Sequence, residues 1–142
     1  MTTMDFCRRE LDRYLRMICP DRTEIGLLLL PDEGTRSRED KFFEHGEIRV
    51  EKGKGTIAGN RPRALLLSVY EFLRRLGCVF LRPGKGGETI PVKEIGEISV
   101  HADFTPANRH RGITIEGAVS LENVLDIVDW AAKAGFNSYY IQ

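Results

Sequence analysis

The chain has 142 residues, a length that predicts one globular domain able to bury a core without metal or disulfide staples. Hydrophobic residues make up 42% and charged residues 30%, which is the composition of an ordinary folded protein. Lysine plus arginine number 21, as do aspartate plus glutamate, so the formal net charge is zero. A nucleic-acid partner is therefore not expected, because neutralising phosphates needs clustered excess cations.

The first elements in the chain are a helix and a strand. Apolar side chains recur at helical spacing over residues 5–19, and Pro20 follows, so a helix is predicted there. Its candidate N-caps are Thr2, Thr3 and Asp5. The short apolar run 25–30 predicts a buried strand, and the polar stretch 32–40 predicts a surface loop.

A hairpin and a long helix come next. Residues 47–59 contain two strand-like runs around the glycine-rich turn 52–55, which predicts a β-hairpin. Asn60 is the predicted N-cap of a helix that runs to Leu76 and has a wide apolar face, so this is the expected central core helix. Gly77 is the expected C-terminal cap.

The segment before residue 105 ends in short strands and loops. The apolar run 78–81 predicts another buried strand, and Ile95, Ile98 and Val100 predict a last one. The glycine-rich stretch 83–87 lacks the ending of a phosphate-binding loop and no helix pattern follows it, so a simple turn is favoured.

The pattern changes at Pro106. Residues 111–116 alternate like a strand, Ser120 is a plausible N-cap for a helix through Ala134, and 137–141 begin another strand. The helical side chains expected to face inward are Leu121, Val124, Leu125, Val128 and Ala131 or Ala132. This order predicts a βαβ unit, whose two parallel strands need further neighbours to cover both faces.

Cysteine and histidine do not indicate a cofactor. Cys7, Cys19 and Cys78 fit neither a zinc site nor a disulfide framework, and are expected to be buried thiols in a reducing compartment. The histidines lack metal-ligand spacing, so no metal or other cofactor is expected. No signal-peptide pattern or membrane-spanning apolar run is present, so a cytoplasmic location and no membrane contact are expected.

Several segments in succession resemble a family of glycoside hydrolases. Residues 55–91 look like the accessory domain that precedes the catalytic barrel in β-hexosaminidases, α-glucuronidases and their relatives. Residues 68–77 match that family's helix pattern G-x-Y-x-F-L-x-x-L-G, apart from Ser68 in the place of the first glycine. Residues 110–116 are similar to the first barrel strand of these enzymes, and 129–137 resemble the helix and the entry to the second strand.

The resemblance implies an α+β fold in two parts. Residues 1–105 would form the accessory domain, a small sheet packed by helices, and 106–142 the first strand–helix–strand of an incomplete (β/α)8 barrel. The resemblance also implies that the catalytic carboxylates lie on later barrel strands. A complete barrel takes about 250 residues, so the present 142 cannot close one. The chain is expected to be the non-catalytic amino-terminal part of a glycoside hydrolase, inactive alone, whose complete form acts on a carbohydrate.

Two residues are candidates for the sugar site of that complete enzyme. Arg111 matches the arginine that binds sugar hydroxyls in hexosaminidases, and Glu116 stands where those enzymes usually have aspartate. A structural role is the alternative, in which Arg111 pairs with Glu116 or with a carboxylate at a domain interface. Asn137 is expected to hold the loop before its strand, with a place in the site as the alternative.

Two other functions remain open. A stand-alone carbohydrate-binding or protein-interaction module would present exposed aromatic rings, for which Phe42 and Phe43 are the candidates. A small independent α/β enzyme would need a cluster of perturbed titratable groups, which the sequence does not indicate. The sequence leaves the oligomeric state open.

Overall fold

The computed structural model describes residues 1–31, 42–117 and 120–141, so the loop predicted over 32–40 lies outside the described residues. The fold is mixed α+β, as expected, with three α-helices and small sheets in the described part of the chain. In chain order the elements are α1 (Thr3–Ile18), β1 (Glu24–Leu29), β2 (Gly46–Glu51), β3 (Lys54–Gly59), α2 (Pro62–Arg75), β4 (Val79–Phe80), β5 (Glu88–Thr89), β6 (Val100–Phe104), β7 (Gly112–Ile115), α3 (Leu121–Lys133) and β8 (Ser138–Ile141). We call the described residues within 1–105 the first unit and those within 106–142 the second unit.

The main sheet of the first unit has the strand order β1-β3-β2-β6. β1 is parallel to β3, while β2 is antiparallel to both β3 and β6. The predicted hairpin is confirmed, with a tighter turn than expected: Lys52 and Gly53 have φ of 48° and 75°, and Lys54 already belongs to β3. Two consecutive positive φ values are the signature of the turn that best fits the twist of paired strands.

The core of the first unit lies between this sheet and the helices α1 and α2. Its largest fully buried side chains are Tyr14, Tyr70, Phe72, Leu11, Ile18, Ile48, Ile57, Leu65 and Leu73. The predicted first helix is confirmed, and Thr2 is its N-cap, because the Thr2 hydroxyl accepts a hydrogen bond from the Asp5 amide.

The prediction that Asn60 caps α2 is wrong. Arg61 occupies the N-cap position, and the Asn60 side chain turns back to the segment before β2. Its Oδ1 accepts from the His45 amide at 2.9 Å, and its Nδ2 donates to the Phe43 carbonyl at 3.2 Å. The Asn60 side chain therefore bonds to residues that are distant in sequence, and it does not cap the helix as the local capping rule predicts. Gly77 follows the helix at φ 102°, as its predicted cap role requires.

The last elements of the first unit differ from their predictions. The run 78–81 contributes only the two-residue strand β4, which pairs with β5 outside the main sheet and leaves Val79 and Leu81 exposed. Ile95 lies in a short 3-10 turn, and the last strand, β6, begins at Val100.

The second unit has the predicted strand–helix–strand order. β7 and β8 pair in parallel as a separate two-stranded sheet, and Ser120 caps α3 by accepting from the Asn123 amide at 3.1 Å. The expected burial of one face of α3 is wrong for Leu121, Leu125 and Val128, which are 74%, 59% and 46% exposed, while Val124 is half-buried and Ala131 is buried. Two four-residue strands are too narrow a sheet to cover a helix of 13 residues. Among the described helices, none combines the length and apolarity needed to cross a bilayer.

Candidate functional site

A buried carboxylate joins the two units. Glu44 lies two residues before β2 and its side chain is 2% exposed. It receives hydrogen bonds from Arg63 Nε, from Arg111 Nη2 at 2.5 Å and from Asn137 Nδ2 at 3.2 Å. Arg63 comes from the first turn of α2, whereas Arg111 and Asn137 directly precede β7 and β8. One carboxylate therefore connects the first unit to the amino ends of both strands of the second.

The side chains of Arg111 and Asn137 also hold each other and their own loops. The Arg111 amide donates to Asn137 Oδ1 at 2.9 Å, and Asn137 Nδ2 donates to the Arg109 carbonyl at 2.9 Å. Arg111 Nε donates to the Gly135 carbonyl at 2.7 Å, and Nη1 donates to the Asn108 carbonyl at 2.6 Å. These bonds place Asn137 in the loop-holding role expected for it.

The charge balance of this cluster favours a firm junction. Two guanidinium groups face one buried carboxylate, and hydrogen bonds between ionised groups are about twice as strong as neutral ones. Removing Glu44 would leave both guanidinium groups without this carboxylate, whereas removing one arginine would leave Glu44 paired with the other. The predicted alternative of an interface carboxylate for Arg111 is thus what the structure contains, and the partner is Glu44.

Arg111 keeps donor capacity beyond these bonds. Its contacts with described residues use three of the five guanidinium N–H groups, through Nε, Nη1 and Nη2. The side chain is 18% exposed and borders a cavity of about 320 Å³, whose lining includes Glu71, Arg74 and Phe104. Two N–H groups in a fixed plane are suited to bind two neighbouring oxygen atoms of a ligand.

Glu116 and Arg111 lie at opposite ends of β7. Glu116 follows the carboxyl end of the strand and is exposed, whereas Arg111 precedes the amino end. The structure therefore does not bring the two candidate residues together. Their contact with a sugar stays a prediction for both residues.

A second polar cluster between the units was missed by sequence reasoning. Lys133, at the end of α3, has a side chain that is 3% exposed and donates to Glu88 Oε1 at 2.6 Å and to Asp129. The Tyr14 hydroxyl donates to the same Glu88 oxygen at 2.9 Å. Burial lowers the pKa of Lys133, but the bonds to Asp129 and Glu88 outweigh it and raise the pKa above its ordinary value, so the ammonium is retained.

The candidate stacking rings are covered. The ring of Phe42 lies 4.8 Å from that of His110, and the Arg109 guanidinium lies 4.9 Å from the Phe42 centroid. Phe43 is half-buried. Within the described ranges Tyr140 is the one aromatic residue that is largely exposed, at 60%. A flat aromatic platform for a sugar is therefore not formed by these residues.

The three thiols are buried, and burial raises the pKa of Cys7 and of Cys78 to about 11. The described residues contain no group of three or more His, Cys, Asp or Glu side chains placed to hold a metal ion.

No protein-family model, curated protein or solved structure matches the chain.

Proposed function

We propose that the chain is the accessory unit of a glycoside hydrolase joined to the first strand–helix–strand of its catalytic barrel. The observation that carries the proposal is that the strands and the helix of the second unit are incompletely covered. β7 and β8 pair only with each other among the described residues, and Leu121, Leu125 and Val128 of α3 are exposed. Sheets made only of parallel strands occur almost exclusively where both faces are covered, so the all-parallel pair β7–β8 calls for further strands and helices.

The two faces of β8 fit the two layers of a barrel. Tyr139 lines a groove together with Leu66 of α2 and Val128 of α3, so its side chain lies on the face of the strand that is turned towards these helices. Tyr140, the next residue, points to the opposite face and is exposed, as is the last described residue of the strand, Ile141. In a closed barrel the Tyr140 face becomes the interior. Glu116 then stands at the carboxyl end of the first strand, where barrel enzymes place their active sites.

The groove between α2 and α3 also favours additional chain or a partner in contact with it. It has a volume of about 220 Å³ and an apolar lining that includes Leu66 and Phe136. Tyr139 Oη and Arg63 Nη2 belong to residues that line it, and both atoms are buried without a hydrogen-bond partner in the described part of the chain. Buried polar atoms in native proteins nearly always have a partner, so an acceptor from elsewhere would complete this site.

The role of the first unit is to support the barrel. Glu44 fixes the amino ends of β7 and β8, and the Glu88–Lys133 pair fixes the end of α3. The catalytic carboxylates are proposed to lie on later strands.

One observation favours a protein-interaction module as the second candidate, because an exposed apolar helix face also suits a protein partner. A stand-alone carbohydrate-binding module is less well supported, since the Phe42 ring is covered by His110 and Arg109.

The test compares the 142-residue chain with the product of the same reading frame extended downstream of Gln142. Both are assayed with p-nitrophenyl glycosides of N-acetylglucosamine and of glucuronic acid. We expect hydrolysis by the extended product only. Turnover by the 142-residue chain, or a downstream frame without further βα units, would contradict the proposal.

A further inference from the structure

One contact joins the first unit to a candidate ligand-binding side chain, because Glu44 accepts a hydrogen bond from Arg111. We propose that Glu44 is the positioning residue of Arg111, through which the accessory unit sets the direction of the Arg111 donors. The contact between the two side chains does not rest on the proposed function above.

The guanidinium plane of Arg111 is defined by three acceptors. Two are the carbonyls of Asn108 and Gly135, which belong to the second unit, at 2.6 and 2.7 Å. The third is Glu44 Oε2 of the first unit, at 2.5 Å. Of these three acceptors only Glu44 carries a charge, so its hydrogen bond is expected to be the strongest of the three. Without it, Nη2 has lost its acceptor among the described residues.

Contacts within the first unit, without Arg111, already hold Glu44 in place. Arg63 Nε donates to its other oxygen, Oε1. On either side of Glu44, the Phe43 carbonyl and the His45 amide both bind the side chain of Asn60. These contacts fix the backbone and the carboxylate of Glu44 using residues of the first unit alone. A preorganised acceptor of this kind sets the position of a mobile arginine rather than following it.

The contact with Glu44 affects the two guanidinium N–H groups of Arg111 that bind none of these three acceptors. Their direction depends on the guanidinium plane, because the fork of N–H groups is rigid. With Glu44 in place, the plane is pinned at both Nη atoms and at Nε. Without Glu44 only the bonds from Nε and Nη1 remain. The group then rotates more easily about its Nε–Cζ bond, and the two donors are less firmly fixed relative to the strands.

The test is nitrogen-15 NMR of the whole chain with labelled arginine, in which Arg111→Lys identifies the Arg111 signals. A pinned guanidinium rotates slowly about its Nε–Cζ bond, the rotation that exchanges Nη1 with Nη2, and therefore gives two resolved Nη signals, which we expect for the unaltered protein. In Glu44→Gln we expect the two signals to merge into one, while the backbone amides of β2 and β3 keep their protection from exchange. The matched control is Glu47→Gln, on β2 and more exposed, which should leave the Arg111 signals unchanged.

Two results would overturn the inference. One is resolved Arg111 Nη signals that persist in Glu44→Gln. The other is a single averaged Nη signal in the unaltered protein, which decides the question even if Glu44→Gln fails to fold. Neither result depends on a sugar, so loss of the contact would refute this inference alone. An extended gene product that hydrolyses no glycoside would instead refute the proposed function.

Discussion

Lys133 Nζ lies 2.6 Å from Glu88 Oε1, which pairs a lysine at the end of α3 with a carboxylate of the first unit. The lysine side chain is 3% exposed and the glutamate side chain 17%. Trp130, one turn earlier on α3, donates its indole N–H to the Phe80 carbonyl at 2.8 Å. The end of α3 is therefore docked on the first unit by polar contacts, although the beginning of the same helix is exposed.

Lys133→Met should destabilise the protein by about 3 kcal/mol, because it leaves the largely buried Glu88 carboxylate without its cation. The measurement is urea unfolding at neutral pH. The control is Lys93→Met, which breaks a more exposed 3.6 Å pair with Glu97 and should change stability by less than about 1 kcal/mol. Equal effects of the two substitutions would contradict the docking role of Lys133.

Polar substitution of the exposed face of α3 should have little effect on the stability of this chain. We expect Leu121→Gln combined with Leu125→Gln to change the free energy of unfolding by no more than about 1 kcal/mol, since both side chains lie in solvent. The same variant should bind less of a hydrophobic dye such as ANS. The control is Leu73→Ala in the core, expected to cost about 2–5 kcal/mol. A large loss of stability in the double variant would mean that the face is packed.

Glu71 should make stability depend on acidity. Burial raises the pKa of its carboxyl group, but Arg74 at 2.6 Å and Arg75 at 2.8 Å outweigh burial and lower the pKa below 4.5. A lowered folded-state pKa means that the stabilisation is present above the unfolded value and is lost as the pH falls through the folded value. The difference in unfolding free energy between the unaltered protein and Glu71→Gln should therefore be constant near neutrality and shrink below about pH 4.5. A difference that stays constant down to about pH 3 would contradict this assignment.

The buried thiols should be inert in the folded protein. Because burial raises the pKa of Cys7 and Cys78 to about 11, hardly any thiolate is present at neutral pH. Ellman's reagent should react slowly with the native chain and rapidly with the same chain in guanidinium chloride. Rapid reaction of the native protein would show that at least one thiol is accessible.

Local patterns were enough to predict most of the elements. Periodicity and capping rules gave the helix begun by Thr2, the hairpin, the helix ended by Gly77 and the helix begun by Ser120. Each of these features depends on neighbours within a few residues, which the sequence displays directly.

The polar junctions could not be predicted in this way, because they join distant residues. Glu44 and Arg111 are 67 residues apart, and Glu88 and Lys133 are 45 apart. No spacing rule connects such positions. Asn60 illustrates the same limit, since its side chain binds the segment before β2 in preference to the helix that follows it. The exposure of Leu121, Leu125 and Val128 likewise depends on how narrow the β7–β8 sheet is, and the periodicity of α3 contains no information about that.

The central claim is that β7 and β8 belong to a larger sheet, and amide hydrogen exchange of the 142-residue chain tests it most directly. Both outer edges of this pair lack a neighbouring strand in the described structure. We therefore expect the amides of Ile113, Ile115, Tyr139 and Ile141 to exchange much faster than those of Ile48 and Ile57 in the main sheet. Equal protection in the two sheets would mean that the second unit shares one closed core with the first, and would contradict the account.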